Sequence, residues 1–97
     1  MNEFSAKQLI VNRYLINYFS SIEDNSKINV VFVHGWLSNA TVWSHLMHAL
    51  KKIGISSYAL DLPGFGSSQI PTDSVDNEFF VKVVEEFINI CSYWFKE

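Results

Sequence analysis

The 97-residue chain has one cysteine, two prolines, four glycines and no excess of positive charge. The single thiol, Cys91, excludes an intramolecular disulfide framework and a cysteine-based zinc cluster. It suits a reducing compartment. Seven basic residues stand against ten acidic ones, a net charge of −3. That balance removes the electrostatic footprint of a nucleic-acid binder. The longest apolar runs resemble Val30-Val31-Phe32-Val33; a membrane-spanning helix needs roughly 20 such residues. Met1-Asn2-Glu3 is not basic, and Asn12, Arg13 and Asn17 break up the stretch that follows, so no secretory leader is expected. There is no repeat, no low-complexity tract and no linker rich in Pro, Gly or Ser. The expectation is a single soluble, cytoplasmic domain.

Hydrophobic residues make up 48% of the chain and charged ones 18%, a composition that can fill a packed core. Gln8–Val11 and Tyr14–Phe19 are rich in β-formers, and Asn12-Arg13 is an acceptable tight-turn pair, so residues 8–19 are expected to form an antiparallel hairpin. A polar loop over 20–27 follows. Ile28–Val33 reads as a strand, its contiguous apolar residues indicating burial on both faces. Over residues 40–53 the spacing becomes helical, with Val42, Leu46, Leu50 and Ile53 on one face. Ser38 and Asn39 are candidate N-caps, and Gly54 suits the left-handed residue just past the end. Ile55–Leu62 is the next strand, and residues 63–73 are a loop. A helix over about 75–95 would put Phe80, Val84, Phe87, Ile88, Cys91 and Trp94 on one face. A hairpin followed by β-α-β-α argues an α/β fold with parallel strands and right-handed crossovers.

Two loops carry specific information. His34-Gly35-Trp36-Leu37-Ser38-Asn39-Ala40-Thr41-Val42-Trp43 follows the first buried strand, and Asp61-Leu62-Pro63-Gly64-Phe65-Gly66-Ser67-Ser68 follows the next. Together they resemble the α/β-hydrolase family. Its members often carry His-Gly after the third strand and Asp-x-x-Gly-x-Gly-x-Ser after the fourth. The resemblance runs from about Phe4 to the C-terminus. Within the family the two loops look most like carboxylesterases that hydrolyse pimeloyl-acyl-carrier-protein methyl ester. Other small ester hydrolases, peptidases, dehalogenases and epoxide hydrolases share much of the pattern.

The resemblance implies a division of labour. Acyl transfer builds negative charge on the former carbonyl oxygen, and preorganised N–H donors stabilise it. By resemblance, one donor is the backbone N–H of Trp36, in an oxyanion loop made with His34, Gly35 and Leu37. Gly35 would allow a sharp turn and close approach of substrate, and the Trp36 ring would line the acyl pocket. His34 is expected to hold the loop by hydrogen bonds, since the family's catalytic histidine comes later in the chain. Asp61, Gly64, Gly66 and Ser68 are expected to shape the loop beneath the site, with Asp61 not acting as the catalytic acid. Ser67 and Ser68 lack the flanking glycines of a nucleophile elbow.

Other chemistry finds little support. His45 and His48 lie three apart on a helix, but no third ligand is evident and the Glu of His-Glu-x-x-His is missing, so no metal is expected. Cys91 reads as a small buried hydrophobe. Gly64-Phe65-Gly66 lacks the third glycine of a dinucleotide fingerprint, so no cofactor is implied. The family's Gly-x-Ser-x-Gly occurs nowhere: the stretches starting at Gly54 and Gly66 both fail at the last position. By resemblance the chain is the N-terminal part of a hydrolase sheet, ending before the nucleophile elbow and lacking the nucleophile, acid and base. The full-length protein would then act on a small-molecule ester, with no nucleic-acid or membrane partner. In this fold the third strand lies between the fourth and fifth. Strand 28–33 is therefore expected at an open apolar edge that invites self-association or a complementing chain. The alternative function is a non-catalytic module that pairs through that edge.

Overall fold

The computed structural model describes residues 4–94. It contains strands β1 (Ala6–Val11), β2 (Tyr14–Ser21), β3 (Asn29–Val33) and β4 (Ser56–Leu60), and helices α1 (Ser44–Lys52) and α2 (Asn77–Trp94). A single 3-10 turn, Ala40–Trp43, leads into α1. Asn12 and Arg13 both have positive φ, 48° and 75°, so the β1–β2 connection is a two-residue turn of the primed type that matches strand twist. The hairpin runs two residues further at each end than expected, with Ala6 opposite Phe19 and Lys7 donating to Ser20 Oγ at 2.6 Å.

The sheet order is β1-β2-β4-β3. β2 pairs antiparallel with β4, and β3 parallel to it. Two helical layers cover the two faces, which makes an α/β fold. On one side α2 sets Val83, Phe87 and Cys91 against Val11, Ile16, Tyr18, Tyr58 and Leu60. The Phe87 ring meets Tyr18 and Tyr58 edge-on, at 5.5 and 6.2 Å. On the other side Ala40 and Met47 pack on Phe4, Phe19 and Ala59. Each large side chain buried this way contributes roughly 1.5–3 kcal/mol.

Five expectations need correction. The contiguous apolar strand is not the doubly buried one. β3 lies at the edge of the sheet, as expected, but it is only half-buried along its middle, whereas β4 is buried at every residue despite Ser56 and Ser57. Ser56 is accommodated because its N–H donates to Ser26 Oγ and its hydroxyl accepts from the Glu23 N–H. Of the expected stripe, Val42, Leu46 and Ile53 face solvent and Leu50 is half-buried, and Ala40 and Met47 are the buried residues against the sheet. α1 carries Leu46, Met47 and Leu50 close together around its circumference, and docking buries Met47, so spacing alone selects the wrong face. On α2 the sheet-facing stripe is Phe79, Val83, Phe87 and Cys91. Phe80 and Val84 are half-buried and Ile88 is exposed. The helix carries two adjacent apolar stripes, and periodicity alone does not choose between them. The side chain of Trp94, expected on that face, and residue 95, expected in the helix, lie outside what the structure describes. The helix starts at Asn77 instead of 75 because the Asp76 carboxylate accepts from the Phe79 N–H and caps it. The fourth strand ends at Leu60, two residues early, where Asp61 and Leu62 turn into the loop.

Candidate functional site

β3 and β4 are parallel and in register, with Val33 opposite Leu60. Their following loops therefore emerge side by side at the carboxyl end of the sheet, where open α/β sheets bind ligands. The loop after β4 is anchored by Asp61, which is 3% exposed. Its Oδ1 accepts from the Ala40 N–H at 2.7 Å, and its Oδ2 from Asn17 Nδ2 and the Ser67 N–H, both at 3.0 Å. One carboxylate thereby joins β2, the β3 loop and its own loop. The Ser68 hydroxyl donates to the Asp61 carbonyl at 2.6 Å and accepts from the Asn17 N–H at 2.8 Å. Gln69 completes the attachment to β2 through Leu15, by bonds of 2.8 and 2.9 Å.

The glycines of this loop are required by geometry. Gly66 has φ +52°, and a Cβ there would run into the Asp61 carboxyl group. Gly64 has φ +89° and approaches Pro71. Asn17 is a member of this network that sequence reasoning missed. The available signal was a lone amide in an otherwise apolar strand, Tyr14–Phe19.

The loop after β3 is presented differently. Trp36 and Leu37 are 78% and 82% exposed. Leu37 has φ +60°, a left-handed conformation uncommon for a branched side chain. The sharp turn expected at Gly35 thus falls on Leu37. A Cβ at Gly35 would meet nothing within 4 Å, so the space beside that residue is open. Asn39 caps the 3-10 turn, its side chain accepting from the Thr41 N–H at 2.9 Å. His34 is 4% exposed: Leu62 N–H donates to its Nε2 at 3.0 Å, and its Nδ1 lies 2.8 Å from the Gly35 carbonyl.

Between the loops and the start of α2 lie two adjoining clefts, of about 410 and 220 Å³. Both are lined by Trp36, Phe65, Asn77 and Phe80, with His34 and Gly35 in the smaller one. Phe65 meets Trp36 edge-on at 5.2 Å and His34 at 5.4 Å. The walls are aromatic, with Asp73 and Asp76 contributing carboxylates to the larger cleft. Phe65, Asn77 and Phe80 were not anticipated as lining residues. Helical spacing places Phe80 on the sheet-facing stripe, and only the packing of α2 brings it to the cleft. Trp36, Gly35 and His34 come together there. Asp61, Gly66 and Ser68 lie behind the cleft in the support. His45 and His48 lie on α1, and among the described residues no three His, Cys, Asp or Glu side chains cluster as a metal site.

Burial displaces three ionisable groups, and they sit together under α2. Desolvation raises the Tyr18 and Tyr58 phenols, with the Cys91 charge adding to both, and pushes the Cys91 thiol up to about 12. No helix among the described residues is long and apolar enough to cross a membrane.

A sequence model of the alpha/beta hydrolase fold matches residues 28–93. Protein ABHD14A of Rattus norvegicus is 37% identical over 59 residues, covering 59% of this chain and 24% of that protein. The pimeloyl-[acyl-carrier protein] methyl ester esterase of Wigglesworthia glossinidia brevipalpis is 31% identical over 51 residues, covering 53% of this chain and 19% of the esterase. Among solved structures, a Vigna radiata epoxide hydrolase mutant superposes with a TM-score of 0.83 at 25% identity, over 94% of this chain and 28% of that one. The chain thus spans about a quarter or less of each curated relative's length.

Proposed function

This chain belongs to the alpha/beta hydrolase fold family, and on that premise we propose that its His34–Ser38 loop forms half of the oxyanion hole of a serine hydrolase acting on carboxylic esters. The donor is the Trp36 backbone N–H. One observation carries this reading: that N–H meets no acceptor among the described residues, at the carboxyl end of β3, beside an aromatic-walled cleft. A donor already fixed and left unpaired is what a developing oxyanion needs. Asp61, Gly64, Gly66 and Ser68 support the loop. The Asp61 carboxylate is engaged by two backbone N–H groups and Asn17, which suits a support and not a catalytic acid. The aromatic side of the clefts, formed by Trp36, Phe65 and Phe80, suits an acyl chain. Because Gly-x-Ser-x-Gly is absent, we assign the nucleophile, acid and base to sequence outside these 97 residues.

The test is hydrolysis of p-nitrophenyl acetate and butyrate by the product of the complete reading frame and by the 97-residue chain. The complete product is expected to hydrolyse both and the 97-residue chain neither. Replacing the Trp36 amide by an ester linkage through semisynthesis removes only the N–H. It is expected to lower kcat by about 100- to 1000-fold. Unchanged kcat would remove Trp36 from the role. Epoxide opening without ester hydrolysis would move the protein to the chemistry that the Vigna radiata enzyme's name describes.

A second reading is favoured by the other edge of the sheet. β3 has no charged residue and no proline, the usual protections of an edge, and its outer side is unpaired among the described residues. Beside it Val33, Leu62, Phe80, Val81 and Val84 line an apolar groove of about 410 Å³. On this reading the chain is a non-catalytic module, and a second copy pairs along β3 and covers the groove. Sedimentation of the 97-residue chain would then show a dimer that Val33→Lys converts to monomer. A wild-type monomer at high concentration would end this reading.

A further inference from the structure

We propose that His34 is a positioning residue that, through a proton on Nδ1, aims the Trp36 N–H. This rests on the oxyanion role of Trp36 argued above. The tautomer follows from the partners. A backbone N–H only donates, so Nε2, which receives the Leu62 N–H at 3.0 Å, carries no hydrogen. A carbonyl only accepts, so Nδ1, 2.8 Å from Gly35 O, carries the proton. At 4% exposure, with the Phe65 ring against it, the imidazole has little water to substitute for either partner.

The consequence lies in the peptide unit that His34 touches. A trans peptide is planar, and its C=O and N–H point in opposite directions. The Gly35 carbonyl and the Trp36 N–H belong to one such unit, and the chain has no cis peptide among its described residues. His34 holds the carbonyl from one side, and the Ser38 N–H donates to it at 3.2 Å. Pinning the oxygen fixes the plane and so the direction of the N–H. The other ring nitrogen is tied to Leu62, at the root of the anchored β4 loop. Both ring nitrogens are engaged by backbone groups, so neither is free to serve as a proton acceptor for a nucleophile.

Two substitutions separate the two bonds. The amide of Asn reaches the position of Nδ1, and that of Gln the position of Nε2. In the product of the complete reading frame, His34→Asn preserves the donor to Gly35 and is expected to keep kcat within about threefold. His34→Gln preserves the acceptor for Leu62 and loses the Gly35 bond. It is expected to lower kcat by about 10- to 100-fold with KM and thermal midpoint nearly unchanged. A merely structural histidine would move the midpoint and leave kcat alone. Ring nitrogen NMR of histidine-labelled wild type reads the tautomer directly, and the Trp36 amide resonance reads the peptide plane. Protonated Nε2, or a Gln variant with wild-type kcat, overturns the proposal. If the wild type hydrolyses no ester, the oxyanion reading fails. The tautomer and a shifted Trp36 amide in the Gln variant then still decide whether His34 sets the plane.

Discussion

The two loops at the carboxyl end of the sheet leave neighbouring parallel strands, yet they are built in opposite ways. The β4 loop turns its polar side chains inward. Asp61 and Ser68 are buried, and bonds to Asn17 and Leu15 tie it to β2 along its length. The β3 loop turns its apolar side chains outward, with Trp36 and Leu37 in solvent and Leu37 left-handed. A single residue in that conformation costs roughly 1–2 kcal/mol when it is not glycine. One loop is therefore a fixed support, and the other is a presented segment that the support holds in an unfavourable shape. Backbone strain beside an open cleft supports the role proposed for this loop.

That contrast breaks most completely at Asp61. Asp61→Ala leaves the Ala40 and Ser67 N–H groups and the Asn17 amide buried without their acceptor. It should lower stability by about 3–5 kcal/mol, read as a shift in the urea midpoint. Both loops are expected to loosen together. A loss confined to the β4 loop by hydrogen exchange would mean that the β3 loop stands on its own.

Next in size is Gly66→Ala. It combines a positive φ with a Cβ driven into the Asp61 carboxyl group, and about 2–3 kcal/mol should be lost. The same substitution at Gly35, where a Cβ meets open space, should leave the urea midpoint within about 0.5 kcal/mol. If it is equally costly, the support and the presented loop do not differ as described.

Leu37→Gly is the smallest change and has the opposite sign. It relieves the left-handed strain at an exposed position, so stability should rise by up to about 1 kcal/mol. A loss there comparable to that at Gly66 would show that the Leu37 side chain anchors the loop.

Cys91 reports whether the sheet body survives these changes. Its thiol is raised from 9.0 to about 12, so the folded state favours the protonated form. The stabilisation this gives is present below pH 9 and drains away as pH rises from 9 to about 12. Urea midpoints should therefore decline over that window, and less steeply in Cys91→Ala. At pH 8 the folded thiol should resist alkylation in wild type and in Leu37→Gly, and react as Asp61→Ala opens.

The elements were legible where short-range chemistry decides them. Asn12-Arg13 marked the hairpin, Asn39 the cap of the turn before α1, and Gly54 the left-handed residue past the end of that helix. The paired motifs after two successive strands located the candidate site. Their contents were less legible. Asn17 lies 44 residues from Asp61 in sequence, and no local pattern pairs them. Phe80 and Phe79 are adjacent on α2, and only docking on the sheet sends Phe79 to the core and Phe80 toward the cleft.

By itself the sequence determined the order of strands and helices, the turn chemistry and the two loops, because propensity, capping and backbone sterics act over a few residues. The tertiary structure decided the rest. It buried serine-bearing β4 at every residue while leaving apolar β3, at the expected edge, only half-buried, chose which stripe of each helix is buried, and brought both ring nitrogens of His34 onto backbone groups. Each of those outcomes depends on groups far apart in the chain, whose contacts exist only once the sheet has assembled.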